Sequence, residues 1–137
     1  MSYEVIEMDG IRYAEIIWAG TEVAKTRFFS APESSFQFGL LAHQSGYDEP
    51  PHYHREIERT VTDLQQMFVV QRGKVAVLLF AADGTLFREI VLGPGDAINL
   101  VHGAHAVRAL EDMQCISVKQ GPFLGDAMDK VEIKTKP

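Results

Sequence analysis

The amino-acid sequence predicts an all-β fold. Short runs with period-two alternation, rich in Val, Ile and Phe, recur along almost the whole length. Turn signals separate them at about the 8–12-residue spacing of sandwiches and barrels. Two of these signals are Asp-Gly pairs, which readily take the positive φ angles of a tight hairpin turn.

The elements follow in order. YEVIEM and IRYAEII flank Asp9 and Gly10 and read as an opening hairpin. SFQFGLLAH reads as the next strand. QSGYDEPP must be a loop, because Pro50 and Pro51 cannot donate to a ladder and hold the backbone extended. That loop leads into HYH, read as a strand. In REIERTVTDL, Ile57, Val61 and Leu64 recur at helical spacing while the Thr and Val content suits a strand, so the segment is read as a short excursion. QMFVVQ and KVAVLLF form a hairpin about Arg72 and Gly73, and Asp83 with Gly84 turns the chain into TLFREIVL. GPGD is a tight loop, AINLV a strand and HGA a turn. HAVRAL and MQCISVKQ are the last strands before a short C-terminal tail, residues 121–137.

With 137 residues, 46% of them apolar, 11 glycines and 6 prolines, residues 1–137 are expected to form a single domain with one core. Thirteen basic and nineteen acidic residues give a formal charge of −6, which argues against a nucleic-acid partner. The opening MSYEVIEMDG has neither a basic nor an apolar leader region, and no stretch approaches the roughly 20 apolar residues of a membrane span. A cytoplasmic protein with no membrane partner is expected. Cys115 is the single cysteine and sits in the alternating run MQCISV, so it reads as a buried thiol.

Four of the five histidines fall into two tight pairs: His52 with His54, and His102 with His105. On a strand, residues two apart leave the same face, so His52 and His54 are placed to chelate one ion. The fifth, His43, ends a predicted strand just before the Pro-rich loop and is placed near the mouth of a barrel, where Phe38 and Phe68 are candidate pocket-lining residues. The aromatic residues serve equally as core.

PPHYH, QMFVVQRGKVAV and GPGDAINLVHGAHAV together resemble the two motifs of the cupin superfamily, over residues 46–107. Gly46, His52 and His54 match the opening of the first motif and Gly73 its closing turn. Gly95 and Asp96 match the opening of the second, Gly103 and His105 its end. The proline usual in the second motif is absent and its turn is one residue short. The resemblance implies a single-domain antiparallel β-barrel, the double-stranded β-helix or jelly roll. It also implies one divalent transition metal held by His52, His54 and His105, with His102 the alternative for the last.

The acidic ligand of the family has two candidates. Counting forward from the histidines reaches Glu58, and counting back from Gly73 reaches Gln66. If IERTVTDL is an insertion, the hairpin strand carries Gln66 inward, and register on a strand is fixed more firmly than in a loop. With Glu58 the site would resemble the usual family set. With Gln66 the dication is left uncompensated and invites an anion. Either N/O set suits Fe, Mn, Ni, Co or Zn.

The barrel hosts many reactions, so function is less legible than fold. The leading expectation is a metalloenzyme, such as an oxygenase or isomerase, acting on a small anionic or polyhydroxylated molecule, with no catalytic residue assigned. Two alternatives stand beside it: a non-catalytic small-ligand binding or sensing domain, and a metal-free enzyme resembling sugar-nucleotide isomerases and epimerases with a histidine base. A homodimer is expected, with the apolar opening strands VIEM and YAEIIW as the contact.

Overall fold

The computed structural model describes residues 2–136. The chain is nearly all-β, its sheets are antiparallel, and none closes into a barrel. The strands are β1 (Tyr3–Met8), β2 (Ile11–Ile17), β3 (Arg27–Phe28), β4 (Gly39–Leu40), β5 (Gln66–Arg72), β6 (Val75–Phe80), β7 (Leu86–Leu92), β8 (Ala97–Leu100), β9 (Ala104–Ala109) and β10 (Gln114–Lys119). A single helical turn, α1 (Asp126–Asp129), lies in the tail.

One sheet has the order β1-β2-β8-β5-β10, another the order β7-β6-β9, and β3 and β4 form a separate two-stranded ribbon. From β5 onward the chain passes back and forth between the two larger sheets, which pack face to face, with β6 and β7 a hairpin within the smaller one. The core between them takes every second residue from each: Phe68 and Val70 from β5, Val75, Val77 and Leu79 from β6, Ile98 and Leu100 from β8. In β6 the other set, Ala76, Leu78 and Phe80, is buried too. Its unbroken apolar run VAVLLF is the pattern of a strand covered on both faces.

The turn readings hold. Asp9 and Gly10 both have positive φ, 53° and 75°, as a type I′ turn requires. Gly73, at φ 85°, joins β5 to β6, and a Cβ there would run into the Asp112 carbonyl oxygen in the connection between β9 and β10. In GPGD the Asp96 carboxylate accepts hydrogen bonds from Gly93 N at 2.8 Å and Ala19 N at 2.7 Å, tying the loop to the end of β2.

Three expectations change. SFQFGLLAH pairs only through Gly39 and Leu40. The residues before them form a loop in which the Gln37 amide donates to the carbonyls of Ala31, Pro32 and Ser34. This loop delivers Phe38 to a second apolar cluster with Ile17 and Ala97, on the face of the five-stranded sheet away from the core. HYH is not a strand: residues 41–65 contain no strand or helix. Pro50 and Pro51 withhold two ladder donors, and the polar, exposed residues around them give a strand no face to bury. The excursion 55–64 takes neither regular form, and Ile57, Val61 and Leu64 are all exposed. Of the two opening strands, β2 lies inside the sheet with residues 13–17 buried, so β1 retains the free edge.

Outside the core, a polar network fastens the long loops to the back of the five-stranded sheet. Glu15, 1% exposed, accepts from Arg12 at 2.6 Å, from Ser30 Oγ at 3.1 Å and from Asn99 Nδ2 at 2.9 Å. Asn99 also donates to Gln65 Oε1 at 3.0 Å. Gln65 fixes the end of the histidine-bearing loop, while Thr26 Oγ1 donates to Ala42 O at 3.2 Å and accepts from Ala42 N at 3.0 Å at its start.

Candidate functional site

A cavity of about 200 Å³ opens between the two sheets, at the side where β10 and β9 are edge strands. Its lining follows from strand alternation. On β5, Phe68 and Val70 face the core, so Gln66 faces the same way. On β10, Ser117 pairs with Phe68 and Cys115 with Val70, which turns both inward. On β9, His105 pairs with Leu79 and Val107 with Val77, both core residues of β6. Gln66, Ser117, Cys115, His105 and Val107 therefore share one space, with Phe68, Leu100 and Met113 completing it.

Two of the expected ligands, His105 and Gln66, thus meet in one cavity although they come from different sheets. Gln66 Nε2 donates to Ser117 Oγ at 2.9 Å, leaving the Gln66 carbonyl oxygen without that constraint. His105 remains solvent-accessible, yet enough protein surrounds its ring to act on its charge. Burial first, and the Lys130 ammonium second, push its pKa below the ordinary histidine value. The neutral imidazole is the form that ligates a metal or accepts a proton. Gly103, at φ 79°, sets the turn into β9, and a Cβ there would meet the Tyr13 ring. Partial burial raises the Cys115 thiol, which favours the unreactive protonated form.

The other sequence candidates lie elsewhere. His52 and His54 are neighbours, with ring centroids 5.4 Å apart, on the exposed loop rather than on a strand. His52 Nδ1 lies 2.9 Å from the Pro50 carbonyl, and its Nε2 lies 3.1 Å from Glu49 Oε1. Glu58 is exposed on the same loop. His102 is exposed and sets its ring edge-on to Tyr13 at 5.3 Å. His43 stacks on Tyr47 at 3.9 Å, outside the cavity. Phe38 lies on the far side of the five-stranded sheet, so of the expected pocket aromatics Phe68 alone lines this space.

Among the described residues no three His, Cys, Asp or Glu side chains are gathered as a metal-binding group. The donors stand as two pairs, His105 with Gln66 in the cavity and His52 with His54 on the loop. Sequence reasoning missed Leu100, Val107, Met113, Cys115 and Ser117 as cavity residues. The signal for Ser117 was the alternation of MQCISVKQ, which puts it on the face of Cys115.

No helix among the described residues is long and apolar enough to cross a membrane. No protein-family model, curated protein or solved structure matches the chain.

Proposed function

We propose that this chain is a small metal-binding cupin of jelly-roll type, a metalloenzyme acting on a small anionic or polyhydroxylated substrate and working as a homodimer. The observation that carries the reading is the meeting of His105 and Gln66 in one cavity at the open side of two packed sheets.

The donor set fits a divalent transition metal: neutral imidazole from His105, the amide oxygen of Gln66, and two imidazoles 5.4 Å apart on the loop. In this reading His52 and His54 join the cavity pair by a rearrangement of residues 43–62. Within that segment the hydrogen bonds of the described residues are local, such as His52 with Pro50, Tyr47 N to Gln44 O and Arg59 to Ile57 O. A structureless segment of this length in a small domain is characteristic of functional loops. The Pro50 contact holds His52 Nδ1 and orients Nε2 as the ligating nitrogen once Glu49 is displaced.

Bound there, the metal would supply Lewis-acid polarisation of a substrate oxygen. The chain's own residues do the rest. Gln66 and Ser117 position a polar group by hydrogen bonds, Phe68 keeps water from its inner side, and His105, held toward the neutral form, tolerates a cation beside it.

The same depressed His105 favours one alternative, a metal-free site with His105 as general base. Elemental analysis separates them, on protein purified without chelator or affinity metal. The metal reading expects about one transition metal per chain, lost in His105→Ala and His52→Ala. No metal in the wild type, and none taken up from added Fe(II), Mn, Ni or Zn, would leave the base or a simple binding domain. Variants Gln66→Ala and Glu58→Ala identify the completing ligand.

A further inference from the structure

The face of the five-stranded sheet turned away from the core carries a second cavity, of about 480 Å³, in which none of the candidate metal ligands takes part. Its floor follows from strand register. Ile17, Ala97 and Val69 stand at one level across β2, β8 and β5, and Met67 with Val118 at the next across β5 and β10. Its roof is the segment 36–40, with Phe36, Phe38 and Leu40 opposite that floor. Phe28 and Val118, both about half exposed, form the rim.

Polar ties fix the roof. Phe38 N donates to Ser30 Oγ at 2.9 Å, and Ser30 Oγ donates in turn to the buried Glu15 carboxylate of β2 at 3.1 Å. Phe29 N donates to Phe38 O at 2.8 Å, and a Cβ on Gly39 would run into the Phe28 backbone. The Gln37 amide is spent on three carbonyls of its own loop. A segment anchored in this way is held from settling onto the floor, so apolar surface on both sides lacks packing partners. Apolar spaces of this kind stay dry and take up apolar molecules.

The surroundings disfavour a charged occupant. Among the described residues that line the space, Gln37 alone has a polar side chain. The Glu15 carboxylate lies one level along the same face, since Glu15 pairs with Asn99 and Asn99 with Met67, and it opposes an anion. It already accepts from Arg12, Ser30 and Asn99, which leaves little for a cation. The Arg27 guanidinium is stacked over the Phe29 ring at 4.8 Å. The volume falls within the roughly 300–1,000 Å³ of small-molecule sites.

We infer that this second cavity binds an uncharged, apolar small molecule of aromatic or alicyclic type, held between the sheet floor and the Phe36–Phe38 roof. The sheet itself separates it from His105 and Gln66, so the inference does not depend on the metal.

The test is titration of the full chain, labelled at its methionine methyls, with naphthalene and with 2-naphthoate, which share a ring system and differ in charge. Met67 reports on this cavity, Met113 on the one that holds His105, and Met128 on the tail. Naphthalene is expected to shift the Met67 methyl saturably and to leave Met113 and Met128 in place. 2-Naphthoate should bind at least about tenfold more weakly, because its carboxylate loses water and gains no partner. Val118→Trp, which fills the mouth from an exposed edge position, should weaken naphthalene severalfold or more, whereas Val107→Trp, at the other cavity, should not. A shift at Met113 or Met128 instead of Met67, equal binding of the naphthoate, or no binding would each overturn the inference. So would a light-scattering mass of two chains that falls to one in Val118→Trp, which would assign this face to a second copy.

Discussion

Gln66 on β5 and Ser117 on β10 are joined by a 2.9 Å hydrogen bond that runs diagonally across the edge of the five-stranded sheet, since Ser117 pairs with Phe68 and Gln66 with Lys119. The bond ties a candidate ligand to the edge strand. Gln66→Ala should lower stability by only about 0.5–1.5 kcal/mol, since the bond is solvent-exposed, while reducing metal retention severalfold or more. Denaturant midpoints and metal content measured on the same variant separate the two effects. Unchanged metal content would remove Gln66 from the ligand set in favour of Glu58.

Phe68 closes the inner side of the cavity and belongs to the main core at 5% exposure. Phe68→Ala should cost about 3–5 kcal/mol in equilibrium unfolding. Phe38→Ala, on the opposite face, should also destabilise but leave ligand binding in the cavity intact, a contrast that titration of the two variants would check.

Glu15 is almost fully buried and meets the Arg12 guanidinium at 2.6 Å. Removing the cation alone leaves an uncompensated charge, so Arg12→Ala should destabilise by about 2–3 kcal/mol, below the value for a fully buried pair because Arg12 is partly exposed. The double variant Arg12→Ala, Glu15→Gln should recover part of that loss. Thermal melts of the three proteins test it.

Tyr3 donates from its hydroxyl to Glu15 Oε2 at 3.3 Å and to the Phe29 carbonyl at 3.2 Å. Burial, reinforced by the Glu15 carboxylate, raises its pKa to about 12. A folded-state value above the unfolded one of about 10 means that the protonated phenol stabilises the fold, fully below pH 10. That stability should fade as pH rises from about 10 to about 12. Tyr3→Phe should flatten stability across this window, and ultraviolet titration should show one tyrosine ionising late.

A homodimer predicts a light-scattering mass twice that of the 15.3 kDa chain at micromolar concentration. Because β2 is enclosed, the contact is expected to use β1 and its free edge, and a charged substitution at Val5 should weaken it. A mass equal to one chain would remove the dimer from the proposal.

The sequence alone determined the strands whose signal is local. Asp9-Gly10, Gly73 and Asp83-Gly84 define turns through backbone sterics, and β5 to β10 follow from alternation, or in β6 from an unbroken apolar run, bounded by turn residues. Alternation also carried Gln66, Phe68 and His105 to one side of their strands, because the period of a strand is a property of neighbouring residues. What only the tertiary structure decided is which strand faces which. Phe38 and Phe68 read alike in sequence, yet lie on opposite faces of one sheet, because a loop fastened by Gln37 and Ser30 sets the approach of Phe38. His52 and His54 have the spacing of a strand, but a strand also needs a partner edge. With Pro50 and Pro51 before them and a polar, exposed run after them, residues 41–65 find none. Burial of Glu15, and the cavity shared by His105 and Ser117, depend on contacts between residues far apart in the chain, which no local pattern encodes.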